Sequence, residues 1–354
     1  MNRHTSRLFL FTIFVSIFLL LFLRFLTDDV KNKNKNKNKN NRENETENDA
    51  ILEKHQIACK NIMLPSESFG LILDARILCD KIPDLESHLG NRRIIIETTN
   101  KPIHPERDLI LVNLDWTDFN NAPNTLLCKT KQAYRILKKK FKNKEVVYTG
   151  FTSVDRFRRN RGMDYNRFIH ICGKSPYKGT LKIVEAWINH PEFPRLTIKV
   201  YDGMFSDIQN MLKNRVVKNL EINNDFVSED ELSELYNACG IHLCPSNAEG
   251  WGHYIAEAKS VKAVVLYTNA PCMNETFTDG DDGISIDCDT SAPIITNGVC
   301  PFYEIDPINV AKAVQRVLAL PLAEKQRIGN NARASYLKND ADFTFNFKTL
   351  IYNL

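Results

Sequence analysis

Two carboxylates and two glycines follow an apolar run that ends at Cys244. Glycines let a backbone approach a ligand closely, and a helix that begins beside them offers free N–H groups and the positive end of its dipole. The pattern predicts a diphosphate site, although a strand–loop–helix corner with a carboxylate near the helix start would look the same. The residues that we assign to binding in this stretch are Gly250, Trp251, Gly252, His253 and Glu257.

Short β-branched runs alternate with amphipathic stretches in the first half of the chain. The strands predicted there are Ile62–Leu64, Arg93–Glu97, Leu109–Val112, Thr125–Cys128 and Val146–Tyr148. The helices predicted there are Leu71–Lys81 and Lys131–Phe141. Strands that alternate with helices favour a parallel sheet with helices on both faces.

The second half repeats the alternation more regularly. Ser228 is predicted to cap a helix that runs through Cys239, with Glu231 completing a capping box and Gly240 ending the helix. Asp306, with Pro307 at the first helical position, begins a helix that runs through Leu320. The remaining predicted strands are Phe168–Cys172, Leu196–Tyr201, Ile241–Cys244 and Ala263–Tyr267, and the remaining helices are Thr180–Asn189 and Tyr254–Ser260.

The two blocks of alternating elements predict an α/β protein with two Rossmann-like domains that face a cleft. In such folds a ligand binds at the carboxyl ends of the strands. The predicted organisation is a tail over residues 1–7, a transmembrane helix over 8–26, a tether over 27–49 and a first domain over 50–155. A second, nucleotide-binding domain follows over 156–330, and a terminal helix over 331–354 returns to the first domain.

The transmembrane prediction rests on the apolar run from Leu8 to Leu23, which contains no charge. Phe25 and Leu26 extend it past Arg24 to about the 20 residues that a bilayer requires, and an arginine can reach the interface with its long side chain. A cleaved signal peptide is the alternative, but no small-residue cleavage site follows. The Lys–Asn repeat of Lys31–Lys39 cannot bury a core and predicts a disordered tether.

Composition limits the possible partners. The chain has 354 residues, of which 43% are apolar and 25% charged, with a net charge of +4 that comes largely from the Lys–Asn repeat. We therefore expect no nucleic-acid partner. The chain has 9 cysteines and no Cys-x-x-Cys motif, which argues against a zinc site and predicts buried free thiols in a reducing compartment.

From Phe226 to Glu257 the sequence resembles the retaining GT-B glycosyltransferases of family 4, also called group 1. That family shows a Leu-x-x-Leu-Tyr helix, a strand that ends in Pro-Ser, and Glu-Gly-Phe-Gly with a second Glu after it; Trp251 stands here in place of the Phe. Gly173–Gly179 resembles the family's phosphate loop, with Lys174 in the position of its Arg. Thr268–Glu275 resembles the loop that closes on the donor, and Asn331–Phe343 resembles the terminal helix.

The resemblance implies transfer of a hexose-like sugar from a nucleotide diphosphate sugar to a glycan, protein or lipid acceptor, with retention. Negative charge builds on the leaving diphosphate, and fixed positive charge stabilises it. We expect Lys174 and Lys178 to supply that charge without a metal or other cofactor, and Glu249 to lie beside the sugar; these three are the predicted catalytic residues. Gly173 belongs to the donor site, and Glu257 is expected to accept hydrogen bonds from ribose hydroxyls.

Other patterns support weaker hypotheses. Asp287 and Asp289 match the Asp-x-Asp metal motif of the other glycosyltransferase fold, but the same pattern recurs elsewhere in the chain. Ser68 and Gly70 follow a predicted strand and precede a helix, which makes them a possible acceptor or donor loop. A GT-B nucleotide-sugar epimerase and a degenerate transferase that acts as a membrane scaffold are the alternative functions.

The side of the membrane on which the enzyme lies is also a prediction. The short tail before the span carries two arginines, which suits an enzyme in a lumen. The other flank carries Arg24 at the end of the span and then the lysines of the tether and Arg42, and an excess of Lys and Arg marks the cytosolic side. We therefore expect a single-pass membrane protein with a cytosolic catalytic domain. Sequons at Asn44 and Asn274 would then remain unmodified.

Overall fold

The computed structural model describes residues 59–354 except 67, 160–161, 174, 214, 292–293 and 297–298. None of the helices within that part of the chain is long and apolar enough to cross a membrane. The predicted tail, transmembrane helix and tether lie outside the described residues, as do Lys174 and the Asn44 sequon.

The first half forms a 5-stranded parallel sheet whose strands lie side by side in chain order. The strands β2 and β3 are buried along their whole length, as expected for a parallel sheet that is covered on both faces. The strands are β1 (Ile62–Met63), β2 (Ile94–Ile96), β3 (Leu109–Val112), β4 (Thr125–Cys128) and β5 (Glu145–Tyr148). The helices of this half are α1 (Phe69–Lys81), α2 (Leu85–Leu89) and α3 (Lys131–Lys140).

The second half forms a 6-stranded parallel sheet in the order β11-β10-β9-β6-β7-β8. Counted within this half, this is the doubly wound order. The strands are added toward one edge of the sheet from β6 and toward the other edge from β9, so the strand order reverses between these two neighbours. The strands are β6 (Asp164–Ile171), β7 (Leu196–Lys199), β8 (Leu220–Asn223), β9 (Cys239–Cys244), β10 (Val264–Thr268) and β11 (Ile284–Ile286).

Helices cover both faces of the second sheet and close two apolar cores. One core contains Trp187 and Phe168 with rings 5.6 Å apart, and the other contains Tyr254 and Tyr236. The capping box predicted at the start of α6 is present, because Ser228 and Glu231 each bond the other's backbone. The helices are α4 (Thr180–Asn189), α5 (Asp202–Leu212), α6 (Glu229–Ala238), α7 (His253–Ser260) and α8 (Pro307–Leu318).

Two elements of the second half complete the first. The antiparallel hairpin of β12 (Ile294–Thr296) and β13 (Cys300–Phe302) places Cys300 in the apolar core of the first sheet. The last helix, α9 (Leu322–Tyr352), contacts Phe151 through Phe343, with ring centroids 5.0 Å apart. Its Asp340 pairs with Lys81 of α1 at 2.7 Å.

The structure corrects several sequence expectations. Gly240 does not end a helix: the helix stops at Ala238, and the apolar residues after it begin β9. Cys59 and Cys79 form a disulfide, so the expectation of free thiols is wrong for this pair. The other seven cysteines, all within the described residues, are not in a disulfide, and all of them except the half-buried Cys288 are buried. The helix predicted from Asn331 is the later part of α9, which begins at Leu322.

Candidate active site

The carboxyl ends of β6 and β9 bring two of the predicted catalytic residues together. The Lys178 ammonium donates to Glu249 Oε1 in a direct ion pair, and the two side chains are only 14% and 9% exposed. The Lys178 nitrogen also lies 4.0 Å from the centroid of the Tyr254 ring, a cation–π contact. The strand order of the sheet reverses between β6 and β9. The pair therefore occupies the position at which doubly wound sheets bind their ligands.

Gly179 fixes the lysine loop against the strand–helix loop that follows β9. Its backbone has φ of +66°, and a Cβ at this position would lie 2.1 Å from the Pro245 carbonyl oxygen. Only glycine fits such a contact, so the close approach of these two loops depends on this residue. Asn247 strengthens the contact, since its backbone N–H donates to the Tyr177 carbonyl at 2.8 Å.

Buried polar groups hold Glu249 in place. The Ser246 hydroxyl donates to Glu249 Oε1 at 2.5 Å and also contacts the Tyr254 hydroxyl at 2.5 Å. On the other side, the Cys272 thiol donates to the Glu249 carbonyl at 2.9 Å. Burial raises the pKa of the Tyr254 hydroxyl, so it remains a neutral hydrogen-bonding group near the carboxylate.

The two glycines of the loop serve different purposes. Gly252 has φ of +87° and caps α7. A Cβ on Gly250 would lie 2.7 Å from the amide of Asn113, which follows β3 in the first half. The close approach predicted for a ligand at Gly250 is therefore made in this structure by a side chain of the opposite domain.

Trp251 points toward the first half. Its ring packs edge-on against Phe151 with centroids 6.0 Å apart, and it lines a cavity of about 440 Å³ together with Tyr148, Glu275 and Phe343. Lys178 and Glu249 do not line that cavity. A contact between Trp251 and the donor stays a prediction.

Glu257 lies in the core instead of at the surface of the cleft. Its Oε1 accepts from Arg156 at 3.0 Å and its Oε2 accepts from Tyr236 at 2.9 Å, and only 4% of the residue is exposed. Arg156 also donates to Ser233 at 3.2 Å. Both carboxylate oxygens thus have partners within the protein, so the ribose contact stays a prediction that this arrangement does not display.

His253 joins the two domains. Its Nε2 lies 2.9 Å from Asp74 Oδ1 of α1, and its Nδ1 lies 2.9 Å from the Ser153 hydroxyl. Asp74 also accepts from Lys129 at 2.8 Å, and both of these charged residues are buried. Burial alone would raise the pKa of Asp74, but the neighbouring Lys129 and His253 lower it below its ordinary value.

The remaining predicted site residues are only partly informative. Gly173 is exposed, with φ of +61°, and Lys174 lies outside the described residues. Ser68 is the N-cap of α1, and Gly70 lies in its first turn; both are exposed. Asp74 is one helical turn after Gly70, on the same side of α1, which places this loop near the cleft.

Within the residues that the structure describes, no group of three or more His, Cys, Asp or Glu side chains could hold a metal ion. Asp289 of the Asp-x-Asp pattern accepts from the hydroxyl of Ser291 at 2.7 Å, and the backbone carbonyl of Asp287 accepts from Asn309 at 3.1 Å. The prediction of a metal-free site remains untested by the structure.

Sequence reasoning missed the residues by which the first domain meets this loop. Asp74 and Lys129 carried a usable signal, because each is a charged residue within or directly after an apolar run. Arg156 and Asn113 carried none, since their partners are far away in the sequence. Glu275 was noted only as part of a donor loop; its carboxylate accepts the N–H groups of Lys131 and Gln132 at 2.6 Å and so caps α3 of the first domain.

Two parallel α/β domains that meet at a glycine loop, with a lysine–carboxylate pair at the strand reversal, define the GT-B class of glycosyltransferases. The sequence profile described as "Glycosyl transferases group 1" matches residues 151–335, which is more than half of the chain. The chain therefore belongs to the group 1 glycosyltransferases, and it is an enzyme of that kind. No curated protein sequence matches the chain significantly.

Solved structures share the fold at low identity. A glycosyltransferase from Rickettsia africae is 14% identical with a TM-score of 0.57, covering 81% of this chain and 82% of its own. The Anabaena protein HepE, solved with UDP and glucose, is 11% identical with a TM-score of 0.54, covering 83% and 78%. The pneumococcal O-GlcNAc transferase GtfA, solved with UDP and GlcNAc, is 13% identical with a TM-score of 0.54; the match covers 82% of this chain but 56% of GtfA.

Proposed function

We propose that this glycosyltransferase moves a hexose-like sugar from a nucleotide diphosphate sugar to a glycan, protein or lipid acceptor, with retention and without a metal. The observation that carries the proposal is the Lys178–Glu249 ion pair at the strand reversal of the second sheet. In this proposal the Lys178 ammonium stabilises the negative charge that gathers on the leaving diphosphate, and the Glu249 carboxylate beside it accepts hydrogen bonds from sugar hydroxyls.

The nucleotide is proposed to be uridine diphosphate, since similar folds have been solved with UDP. The free N–H groups at the start of α7, reached through Gly252, suit a phosphate group. The buried Glu257–Arg156 pair supports the framework beneath this helix in the present arrangement.

A thermal-shift measurement tests donor binding. UDP at about a hundred times its dissociation constant should add about 2.7 kcal/mol to the stability of the full chain and raise its melting temperature. EDTA should leave the shift intact, because Lys178 and backbone N–H groups hold the phosphates. A shift that requires manganese would contradict the metal-free proposal, and the absence of any shift would contradict nucleotide binding.

Membrane attachment through residues 8–26, with the catalytic domain on the cytosolic side, is a further part of the proposal. The Lys and Arg residues after the apolar run support the cytosolic placement. The Cys59–Cys79 disulfide favours an oxidising compartment instead, because such bonds are rare in the cytosol. Expression in a eukaryotic cell followed by glycosidase digestion separates the two: a mobility shift that is lost in Asn44→Gln would move the domain to the lumen.

A further inference from the structure

Glu97 has an uncommon backbone conformation at the edge of the cleft. It directly follows β2 and has φ of +64°, in the left-handed region that residues other than glycine rarely adopt. Strained residues of this kind persist where the surrounding structure holds them, and they cluster at functional sites. Here the conformation lies at the carboxyl end of a parallel strand, the edge at which ligands bind in α/β folds.

Asn113 connects Glu97 to the glycine loop of the second domain. Its Nδ2 donates to Glu97 Oε1 at 2.8 Å, while its Oδ1 accepts from the Asp115 backbone at 3.1 Å, which fixes the orientation of the amide. The same amide is the group that a Cβ on Gly250 would meet at 2.7 Å. Only one side chain therefore separates the Glu97 carboxylate from the loop that carries Glu249.

The Glu97 carboxylate keeps an oxygen available. Within the described residues, Asn113 is the hydrogen-bond donor to Glu97, and it bonds only Oε1. The residue is half-buried, and Lys129, whose charge acts on it, already bonds Asp74 at 2.8 Å. Burial raises the pKa of Glu97, whereas Lys129 and Asn113 act in the opposite direction.

We propose that Glu97 binds a hydroxyl of the transferred sugar from the first domain, opposite Glu249 in the second. This inference rests on the proposed function and makes it more specific: the donor carries a hexose with a free hydroxyl on the side that faces the first domain. The simpler role for Glu97 is to balance the charge of Lys129, and the two roles predict different results when the sugar is removed from the ligand.

The test compares the binding of UDP-glucose and UDP-N-acetylglucosamine with that of UDP, by calorimetry on the full chain. Glu97→Gln keeps the shape of the side chain but removes its charge. Hydrogen bonds to charged groups contribute enough that the variant should bind the better nucleotide sugar about tenfold more weakly. UDP alone should bind as in the wild type, because it has no sugar to reach Glu97.

A matched control exists on the outer surface of the same domain. Glu106 Oε1 accepts from Asn124 Nδ2 at 2.7 Å, which repeats the Glu97–Asn113 pair away from the cleft. Glu106→Gln should change neither affinity. Glu97→Asp is the second variant: it keeps the charge that balances Lys129 but withdraws the carboxylate, so it should also weaken binding of the nucleotide sugar.

Each result decides between the two roles. If Glu97→Gln leaves both affinities unchanged, or lowers the affinities for UDP-sugar and UDP by the same factor, the inference is overturned while the proposed function stands. Failure of the wild type to bind any of the three ligands would overturn both. A loss confined to the nucleotide sugars in the two Glu97 variants supports the contact.

Discussion

The two sheets of the molecule differ in strand order. In the second sheet the strand order reverses between β6 and β9, so a crevice opens at the carboxyl ends of these two strands. The Lys178–Glu249 pair lies in that crevice. Among the residues that the structure describes, the first sheet runs in chain order from β1 to β5 without such a reversal. Its polar residues at the carboxyl ends face the other domain instead of a crevice of their own.

This difference explains where sequence patterns carry information. A crevice inside one sheet is built by consecutive loops, so its glycines and charges stand at fixed spacings along the chain. A surface that works only against another domain is built from residues whose partners are distant, such as Asp74 with His253 and Asn113 with Gly250. The family profile follows the same boundary, since it begins at residue 151.

The largest effect is expected when the cation that pairs with Glu257 is removed, which tests whether Glu257 belongs to the core of the second domain. Arg156→Met leaves the Glu257 carboxylate buried without its cation, which should lower the free energy of unfolding by about 3 kcal/mol. Arg158→Met is the control, because the Arg158–Asp230 pair is exposed and such pairs contribute about 1 kcal/mol or less. Urea denaturation measures both variants; equal losses would contradict a structural role for Glu257 in the core.

The next effect concerns catalysis at the strand reversal. Lys178→Ala and Glu249→Ala should each lower turnover about a hundredfold, because each removes a charged contact to the transition state. Lys182→Ala removes a more exposed lysine that pairs with Glu304 at 3.6 Å, and it should leave turnover unchanged. Steady-state rates of donor consumption, with melting curves to verify folding, check the prediction; full activity in both site variants would move the active site elsewhere.

A smaller effect is expected from the buried pair that the first domain contributes. The pKa of Asp74 is lowered despite its burial, so the folded chain binds this proton less readily than the unfolded chain. The stabilisation is complete above the ordinary pKa of 3.8 and is lost as the pH falls toward the lower folded value. Unfolding at pH 7, 5 and 3 should therefore show a smaller loss on acidification for Asp74→Asn than for the wild type; parallel curves would contradict the assignment.

The smallest effect is a difference in the stability that two carboxylates of α9 contribute. Asp340 reaches the first half, pairing with Lys81 and accepting from the Thr152 hydroxyl at 2.7 Å, whereas Asp342 pairs with Lys338 of its own helix. Asp340→Ala should cost about 1 kcal/mol. Asp342→Ala should cost about 0.5 kcal/mol or less, because its pair is exposed. Thermal unfolding with both variants decides whether the helix contributes to the first half through this contact.

Much of the fold was predictable because local patterns specify it. The apolar runs of β3 and β4 and the helix Thr180–Asn189 have the bounds that the sequence predicts. The helix Asp202–Leu212 and the strand Leu220–Asn223 were not predicted; the strand is only partly buried at the edge of its sheet, so its sequence lacks the dense apolar run of a central strand. The sequence also could not show that the Arg156 guanidinium would donate hydrogen bonds to both the Glu257 carboxylate and Ser233.

The candidate site was predictable to a similar degree. The Glu-Gly-Trp-Gly loop and Lys178 converge as expected, since both follow strands that are neighbours in the sheet. The direction of each side chain was not predictable: Glu257 turns into the core, and Trp251 turns toward Phe151. The direction of Glu257 depends on partners that are distant in the sequence of the second domain, and that of Trp251 depends on the contact with the first domain.

The last helix has a consequence for how the protein is made. It begins against the second domain, where a Cβ on Gly329 would lie 2.0 Å from the Lys262 carbonyl oxygen. Near its end the Tyr352 ring packs at a tilt against His88 of the first domain, with ring centroids 4.2 Å apart. Domains commonly fold in order as they leave the ribosome. Here the amino-terminal domain receives part of its cover from residues translated after the whole second domain, so its newly made strands remain partly uncovered until the last helix has been made.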